Sequence, residues 1–393
     1  MKIIKDKDTI AIVVVCYNRP DSAKRLLESL ANACYPKEKQ VPLIISVDCS
    51  GNEKMYNLAK NFEWLYGPKY AIIREERLGL KRHIYECGDL SAFFKGVIIL
   101  EDDLFVAPDF YIYSTTAVES YYNEDKVAGI ALYADTMYGY VGLPLYYWYD
   151  GSDGFMMQST ITWGECFSDK MWAKFRQWYN ANIEVDPSDV IMPNAIKRYK
   201  RAWSKYFNIY LVKENLFFVH PHFSTSTNCG EAGVHGDGNN MIHSKMILGH
   251  KQYCFKSFDE SVKYDIYGNP IGLGKYLHIP EEQLCVDFYG DKQNEQKRRY
   301  WLTPFRKPYQ IIASYALTME PMEANIVYNF VGDDLFLYDT SKVVEGKNID
   351  KFTQRQLSFH IRNFNYKLML RYLGQLIKEM ARIKISRFLH IKK

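Results

Sequence analysis

The sequence predicts an α/β protein built on a doubly wound, mostly parallel sheet, and three observations carry that expectation. Apolar, β-branched runs alternate with amphipathic helical stretches through the first hundred residues. The runs read as continuous rather than alternating, as strands do when helices cover both faces of a parallel sheet. Polar residues cluster where the runs end, and in such sheets ligands bind beyond the carboxyl ends of the strands.

Ile10–Cys16 is the first such strand. After Asn18-Arg19-Pro20, Asp21 or Ser22 is expected to cap a helix whose apolar stripe is Ala23, Leu26, Leu27 and Leu30. Leu43–Val47 is a second strand, ending at Asp48-Cys49-Ser50, and a helical stretch follows through Met55, Leu58 and Phe62. A short third strand is expected at Tyr70–Ile73, then a helix over Leu80–Phe94. Gly96–Leu100 is the fourth strand and runs into Glu101-Asp102-Asp103. Further on, Val127–Tyr133 reads as a strand, Tyr138–Asp153 as a Gly- and aromatic-rich loop, and Phe155–Trp163 as extended. Ser168–Tyr179 reads as helix, Asn208–His220 as strands, and Ser224–Asn240 as a Gly-rich run. Residues 275–345 give weaker strand signals. The organisation read from this is a catalytic domain over 1–250, divided into a nucleotide-binding half at 1–110 and an acceptor half with a phosphate loop at 111–250. An accessory region at 251–362 and a basic amphipathic helix at 363–393 complete it.

Composition narrows the function classes. A 393-residue chain with 47% hydrophobic and 24% charged residues is globular, with room for one large domain and appendages or for two domains. The 32 Tyr, 22 Phe and 7 Trp suit rings stacked on sugar faces, and equally suit an aromatic-rich core. Residues 366–393 carry eight basic residues and one acidic, so the net +4 of the chain leaves a body at −3, with no surface suited to nucleic acid. The eight cysteines include no CxxC pair, and reduced buried thiols argue for the cytoplasm. No signal peptide or membrane-spanning stretch is expected. In the tail, Tyr366, Met369, Leu370, Leu373, Ile377, Met380 and Ile383 recur at helical spacing. Such a helix serves as a peripheral anchor at the inner face of a plasma membrane, or docks on the body.

No GxGxxG follows the first strand and no GxxxxGK[ST] occurs, which disfavours a dinucleotide dehydrogenase and a P-loop enzyme. What remains is a sheet rim with acids and one arginine. Three adjacent carboxylates at Glu101–Asp103 repel one another unless a positive charge or solvent compensates. A hard cation such as Mg2+ or Mn2+ fits there and would neutralise charge on a departing diphosphate; the alternative is a solvated strand-to-helix turn. In the Gly-rich run, glycines 230, 233, 236 and 238 let backbone N–H groups approach phosphate, and His235 adds a donor or metal ligand; the alternative is a surface loop.

The stretch Glu101-Asp102-Asp103-Leu104-Phe105-Val106-Ala107-Pro108-Asp109-Phe110 closely resembles the EDDLxVAPDF segment of the N-acetylglucosaminyltransferase I family. Val14–Arg19 and Ile45–Cys49 resemble that family's first two strand ends, and Thr225–His235 resembles bacterial relatives that build capsule and O-antigen polysaccharides. The resemblance implies a GT-A fold and an inverting transfer of a sugar from a UDP-sugar to a saccharide hydroxyl, with Mn2+ or Mg2+. It implies Asp103 as the metal ligand, Asp48 as acceptor of a nucleobase hydrogen bond, Arg19 near the donor phosphates and Asp102 near ribose or sugar. It further implies His83 near the nucleotide, and gives the loop with Asn228 and His235 to the diphosphate. The acceptor is expected to be a saccharide, lipid-linked if the tail binds membrane.

The family's catalytic Asp follows a Trp, and here Trp203 is followed by Ser204. The substitute base is expected at Glu165, in Thr162-Trp163-Gly164-Glu165, with Asp150 and Asp153 as competitors; Glu165 equally reads as an ordinary acid before a helix. Trp148 with Tyr146, Tyr147 and Tyr149 is a candidate acceptor platform, or a strand packed on another layer. Two rivals remain: a sugar-1-phosphate nucleotidyltransferase, disfavoured by Tyr17–Pro20, and a catalytically inactive nucleotide-sugar-binding scaffold, favoured by Ser204.

Overall fold

A computed structural model of the chain describes residues 3–199, 202–230, 244–292, 297–344 and 366–390. The first strand sets the plan. β1 (Asp6–Cys16) buries its residues alternately on two sides: Ile10, Ile12, Val14 and Cys16 in one core, Ala11, Val13 and Val15 in the other. A strand with period two and no polar face must be covered on both sides. β2 (Leu43–Val47) and β3 (Lys69–Ile73) extend the parallel sheet on one flank of β1, and β4 (Phe94–Glu101) pairs with its other edge. β5 (Leu104–Val106) leaves the sheet, and β6 (Val127–Ala131) returns to it. A small hairpin follows, β7 (Met137–Tyr138) with β8 (Leu143–Pro144). β9 (Gly154–Met157), β10 (Glu165–Ser168) and β11 (Phe217–Pro221) complete the centre. β12 (Ser226–Asn228) pairs with β5 outside it. β13 (Lys263–Tyr264) and β14 (Pro270–Ile271) form the far edge, so the sheet runs on past residue 250. The ten-strand order is β14-β13-β9-β11-β6-β10-β4-β1-β2-β3.

Helices α1 (Pro20–Ala31), α2 (Glu53–Asn61) and a third further along cover one face. α1 sets Leu26, Leu27 and Leu30 fully into that core, each burial stabilising by about 2 kcal/mol. α1 begins two or three residues earlier than expected: Pro20 is its first residue and Arg19 its N-cap, without a side-chain cap. Proline is preset for that position, so neither Asp21 nor Ser22 is needed there. α3 (Leu80–Gly88), α5 (Asp169–Ala181) and α7 (Trp203–Lys213) cover the other face, while α4 (Phe110–Tyr121) joins the first and α6 (Asn194–Arg198) is a short connector.

Several expected elements are corrected. The helix expected over Leu80–Phe94 stops at Gly88, continues as a 3-10 turn over Asp89–Phe93, and yields Phe94 to β4. Asn208–His220 is the second half of α7 followed by β11, not strands throughout. Trp203, Phe207, Tyr210 and Leu211 lie one or two turns apart and bury one helical face, and this packing overrides their strand propensity. The extended run expected over Phe155–Trp163 is a strand only as far as Met157.

Residues 284–343 form a second sheet, β15 (Leu284–Val286), β16 (Tyr300–Thr303), β17 (Tyr309–Tyr315) and β18 (Leu335–Val343), in the order β15-β16-β18-β17. Its core takes in Tyr138, Leu143 and Leu145, so the hairpin and the loop after it pack on this sheet. The helix Tyr366–His390 stands apart from these layers: Leu370, Leu373, Leu376, Ile377, Met380 and Ile385 are all more than half exposed. No helix among the described residues is long and apolar enough to cross a membrane.

Candidate active site

The carboxyl ends of β2, β1 and β4 lie side by side, and each delivers polar groups to one rim. Strands in a sheet stand about 4.8 Å apart, so Asp48 after β2, Arg19 after β1 and Glu101–Asp103 at β4 occupy about 10 Å of that rim. Arg19 bridges the acids: its Nη1 donates to Asp103 Oδ2 at 3.0 Å and its Nη2 pairs with Asp102 Oδ1. The backbone N–H of Tyr17 donates to the other Asp102 oxygen at 3.3 Å. Burial pushes Asp102 above the usual carboxylate range despite the pull of Arg19. Burial, with Asp103 and Asp102 adding repulsion, lifts Glu101 to about 8.

The turn carrying these acids is stapled from outside. Asn228 lies opposite Leu104 in the β5–β12 pair, and the N–H of Cys229 donates to the Asp103 carbonyl at 3.0 Å. Asn228 Oδ1 accepts the N–H of Gly230 at 2.7 Å. His235, expected beside them, lies outside the described residues.

Asp48 has a structural duty. Oδ1 accepts the N–H groups of Cys49 and Leu78, and Oδ2 that of Gly79, all within 2.9 Å. These bonds hold the chain before α3 against the rim, where Gly79 adopts φ 74°, ψ 159°, a conformation open almost only to glycine. One Oδ2 lone pair is left without a donor among the described residues. His83 is buried, with Nε2 2.8 Å from Ser46 Oγ, and burial lowers its pKa to about 4. It is a neutral core histidine with no face open to a nucleotide.

The expected bases fare differently. β10 runs antiparallel between β4 and β6, which brings Glu165 to the rim beside Glu101. Gly164, at φ 101°, makes the turn into it, and its carbonyl accepts the N–H of Leu132. Glu165 is only 2% exposed, and its Oε1 has no hydrogen-bond partner among the described residues. Burial, then repulsion from Glu101, holds its pKa well above the usual range. A carboxyl this deeply buried is out of reach of an acceptor hydroxyl, which goes against the base role expected of Glu165. Asp153 is paired with Lys251 and accepts the N–H of Cys254 at 2.7 Å. It precedes β9, five strands from β1, or about 24 Å along the rim from Arg19. Asp150 is paired with Lys256. Ser204 is the second residue of α7, whose first turn carries no acid.

Sequence reasoning missed two features. Asp135 stands just past β6, at the end of that strand on the same rim. Cys34, Asp109 and His250 also converge, with Asp109 Oδ1 2.7 Å and Cys34 Sγ 3.7 Å from His250 Nδ1. Cys34 lies past the far end of α1, a helix about 18 Å long at about 1.5 Å per residue, so this cluster is separate from Arg19.

The aromatic run Tyr146–Tyr149 meets the second sheet's connecting loops in a cleft of about 510 Å3, whose walls include Trp148, Pro321 and Tyr328. The Trp148 and Tyr328 rings lie 6.2 Å apart and 20° from parallel.

Residues 1–139 match the GNT-I family, which bears out the resemblance of the acidic segment and of the two strand ends before it. No curated protein matches the chain. Solved structures similar to it include S. aureus TarS 1-349 in complex with UDP-GlcNAc, at 13% identity and a TM-score of 0.39, covering 58% of this chain and 60% of that one. Another is the mannosyltransferase PcManGT from Pyrobaculum calidifontis in complex with GDP-Man and Mn2+, at 13% identity and a TM-score of 0.35, covering 56% and 57%. The chain therefore spans under two thirds of the length of either.

Proposed function

We propose that the protein is a metal-dependent glycosyltransferase that moves a hexosyl or N-acetylhexosaminyl group from a UDP-sugar to a saccharide hydroxyl, with inversion. The observation that carries this reading is the Asp48, Arg19, Asp102–Asp103 array on three adjacent strand ends. Asp48 takes the nucleobase, Arg19 and the N-terminus of α1 face the diphosphate, and Asp102 and Asp103 lie where ribose and phosphate follow.

The residues present fit a hard cation. The donors at Asp102 and Asp103 are oxygen alone, and they already hold one positive charge, the Arg19 guanidinium. Mg2+ and Mn2+ are commonly held by one or two carboxylates together with substrate phosphates. Asp103, the more exposed of the two acids, would be the ligand, and the ion would supply charge neutralisation for the departing diphosphate. Arg19 does the same from the protein side. The cleft at Trp148 and Tyr328 takes the acceptor sugar.

Thermal-shift measurements with nucleotide sugars, with and without Mn2+, test the reading. UDP-sugars are expected to raise Tm by several degrees, more with Mn2+; stabilisation only by another nucleotide rejects the role of Asp48. We assign the enzyme to bacterial surface polysaccharide synthesis, with a lipid-linked acceptor at the cytoplasmic face of the membrane. Residues 1–250 would act as the catalytic unit, 251–362 as its accessory, and 363–393 as the anchor. The exposed apolar residues of Tyr366–His390, set among Lys and Arg, support the anchor. Deleting residues 366–393 is expected to abolish flotation with anionic liposomes; undiminished flotation rejects it.

A further inference from the structure

The rim has an order along it, and that order leaves one place for the acceptor base. From the nucleobase side it runs Asp48 after β2, Arg19 after β1, Glu101–Asp103 at β4, Glu165 at β10, then the end of β6. The end of β6 lies two strands from β4, or about 10 Å. A nucleotide sugar laid from Asp48 across Arg19 therefore brings its transferable sugar toward β10 and β6.

The residue that β6 delivers there is Asp135. The chain between is pinned to the rim: Leu132 N–H donates to the Gly164 carbonyl, and the Leu132 carbonyl accepts Thr225 N–H at 2.7 Å. Ala134 N–H donates to Ser224 Oγ at 2.9 Å, and Ser244 Oγ donates to the Ala134 carbonyl at 3.0 Å. Asp135 thus emerges between the segment that carries Glu165 and the segment that leads into β12. It is partly exposed though deep-seated, and no hydrogen bond or ion pair engages its carboxylate among the described residues. The rim's other acids are engaged or shut in: Asp48 holds backbone N–H groups, Asp102 and Asp103 hold Arg19, Asp150 and Asp153 hold lysines, and Glu101 and Glu165 are held by burial above the usual carboxylate range.

We propose that Asp135 is the catalytic base that takes the proton from the acceptor hydroxyl, an inference that rests on the glycosyltransferase reading above. The proton passes to the Asp135 carboxylate as the acceptor oxygen forms its bond to the anomeric carbon. The bond from that carbon to the diphosphate oxygen breaks, and its electron pair leaves with UDP. The products are the glycoside, UDP and a protonated Asp135, which returns its proton to solvent. Burial raises the pKa of Asp135 to about 7, and a base is most effective with its pKa near the working pH. The titratable groups that face it are Tyr133 on its own segment, Tyr140 of the β7–β8 hairpin and Tyr147 of the aromatic run. Burial keeps all three phenols protonated, so none competes for the proton. Tyr147 also links Asp135 to the acceptor cleft, whose wall it joins.

The test follows UDP release from a panel of UDP-hexoses and UDP-N-acetylhexosamines with Mn2+, over pH 5.5–8.5. Asp135→Asn is expected to lower kcat by about 10²- to 10⁴-fold while UDP affinity and donor KM hold. The wild-type kcat/KM is expected to fall on the acid side with a midpoint near 7. An Asn variant that turns over like the wild type, or a wild-type profile flat across that range, overturns the inference and leaves the glycosyltransferase reading standing. A wild type that neither binds UDP nor releases it from any donor overturns both. Should the Asn variant not fold, the wild-type profile decides.

Discussion

Replacing Arg19 with Met is expected to cost about 3–5 kcal/mol of folding stability and to abolish donor turnover. The side chain of Asp102 is 4% exposed, and its one cationic partner among the described residues is the Arg19 guanidinium. Met fills the stem volume and removes only the charge, which leaves Asp102, Asp103 and the buried Glu101 facing one another. The pKa values of Asp102 and Glu101, already raised in the folded state, then rise further above the unfolded ones. The folded protein consequently binds more protons than the unfolded chain, and its stability falls as pH rises. Urea denaturation of Arg19→Met in chelator, at pH 5.5 and pH 8, is expected to give the larger deficit at pH 8. A deficit that shrinks as pH rises would show that Arg19 is not what compensates the acids.

The first half of the fold is legible because its physics is local. A strand buried on both faces needs an unbroken apolar run, and Ile10–Cys16, Leu43–Val47 and Gly96–Leu100 are such runs. α7 was not legible: its Trp, Phe and Tyr suit a strand as well as a helix, and only the aromatic packing of Phe207 on Phe175, at 4.1 Å, decides the matter. The edge strands β13 and β14, two residues each, carry too little pattern to be read at all.

The site divides the same way. Asp48, Arg19 and the acidic triplet were visible because each follows a strand that could be recognised. Asp135 obeys the same rule, standing just past Val127–Tyr133, but as a lone acid without an acidic neighbour or a turn signature it carries no pattern in the sequence. The duties of Asp48 and His83 could not be read, since the N–H groups of Leu78 and Gly79 and the Ser46 hydroxyl reach them only in the folded chain. The grouping of Cys34, Asp109 and His250 was hidden for the same reason, each residue coming from a different part of the chain.

Replacing Glu165 with Gln is expected to stabilise the protein, and increasingly so as pH rises. The Glu165 pKa is raised from 4.5 in the folded state, by burial first and then by Glu101. The folded state therefore holds a proton that the unfolded chain releases above about 4.5. Such a group contributes no penalty below that pH. Above it, the group removes up to about 1.4 kcal/mol of stability per pH unit, until the folded carboxyl itself ionises. Glu101, at about 8, has the same sign, and the two neighbours titrate as a pair. Gln matches the shape of the protonated acid and has nothing to ionise, so the variant and wild type should unfold alike near pH 5 and diverge toward pH 8. Equal slopes in urea denaturation over that range would mean that Glu165 ionises freely in the folded protein. Turnover separates the two carboxyls that compete for the acceptor's proton. The Gln variant keeps its rate if Glu165 is a buried neutral acid behind the rim, and loses it only if the base is Glu165 rather than Asp135.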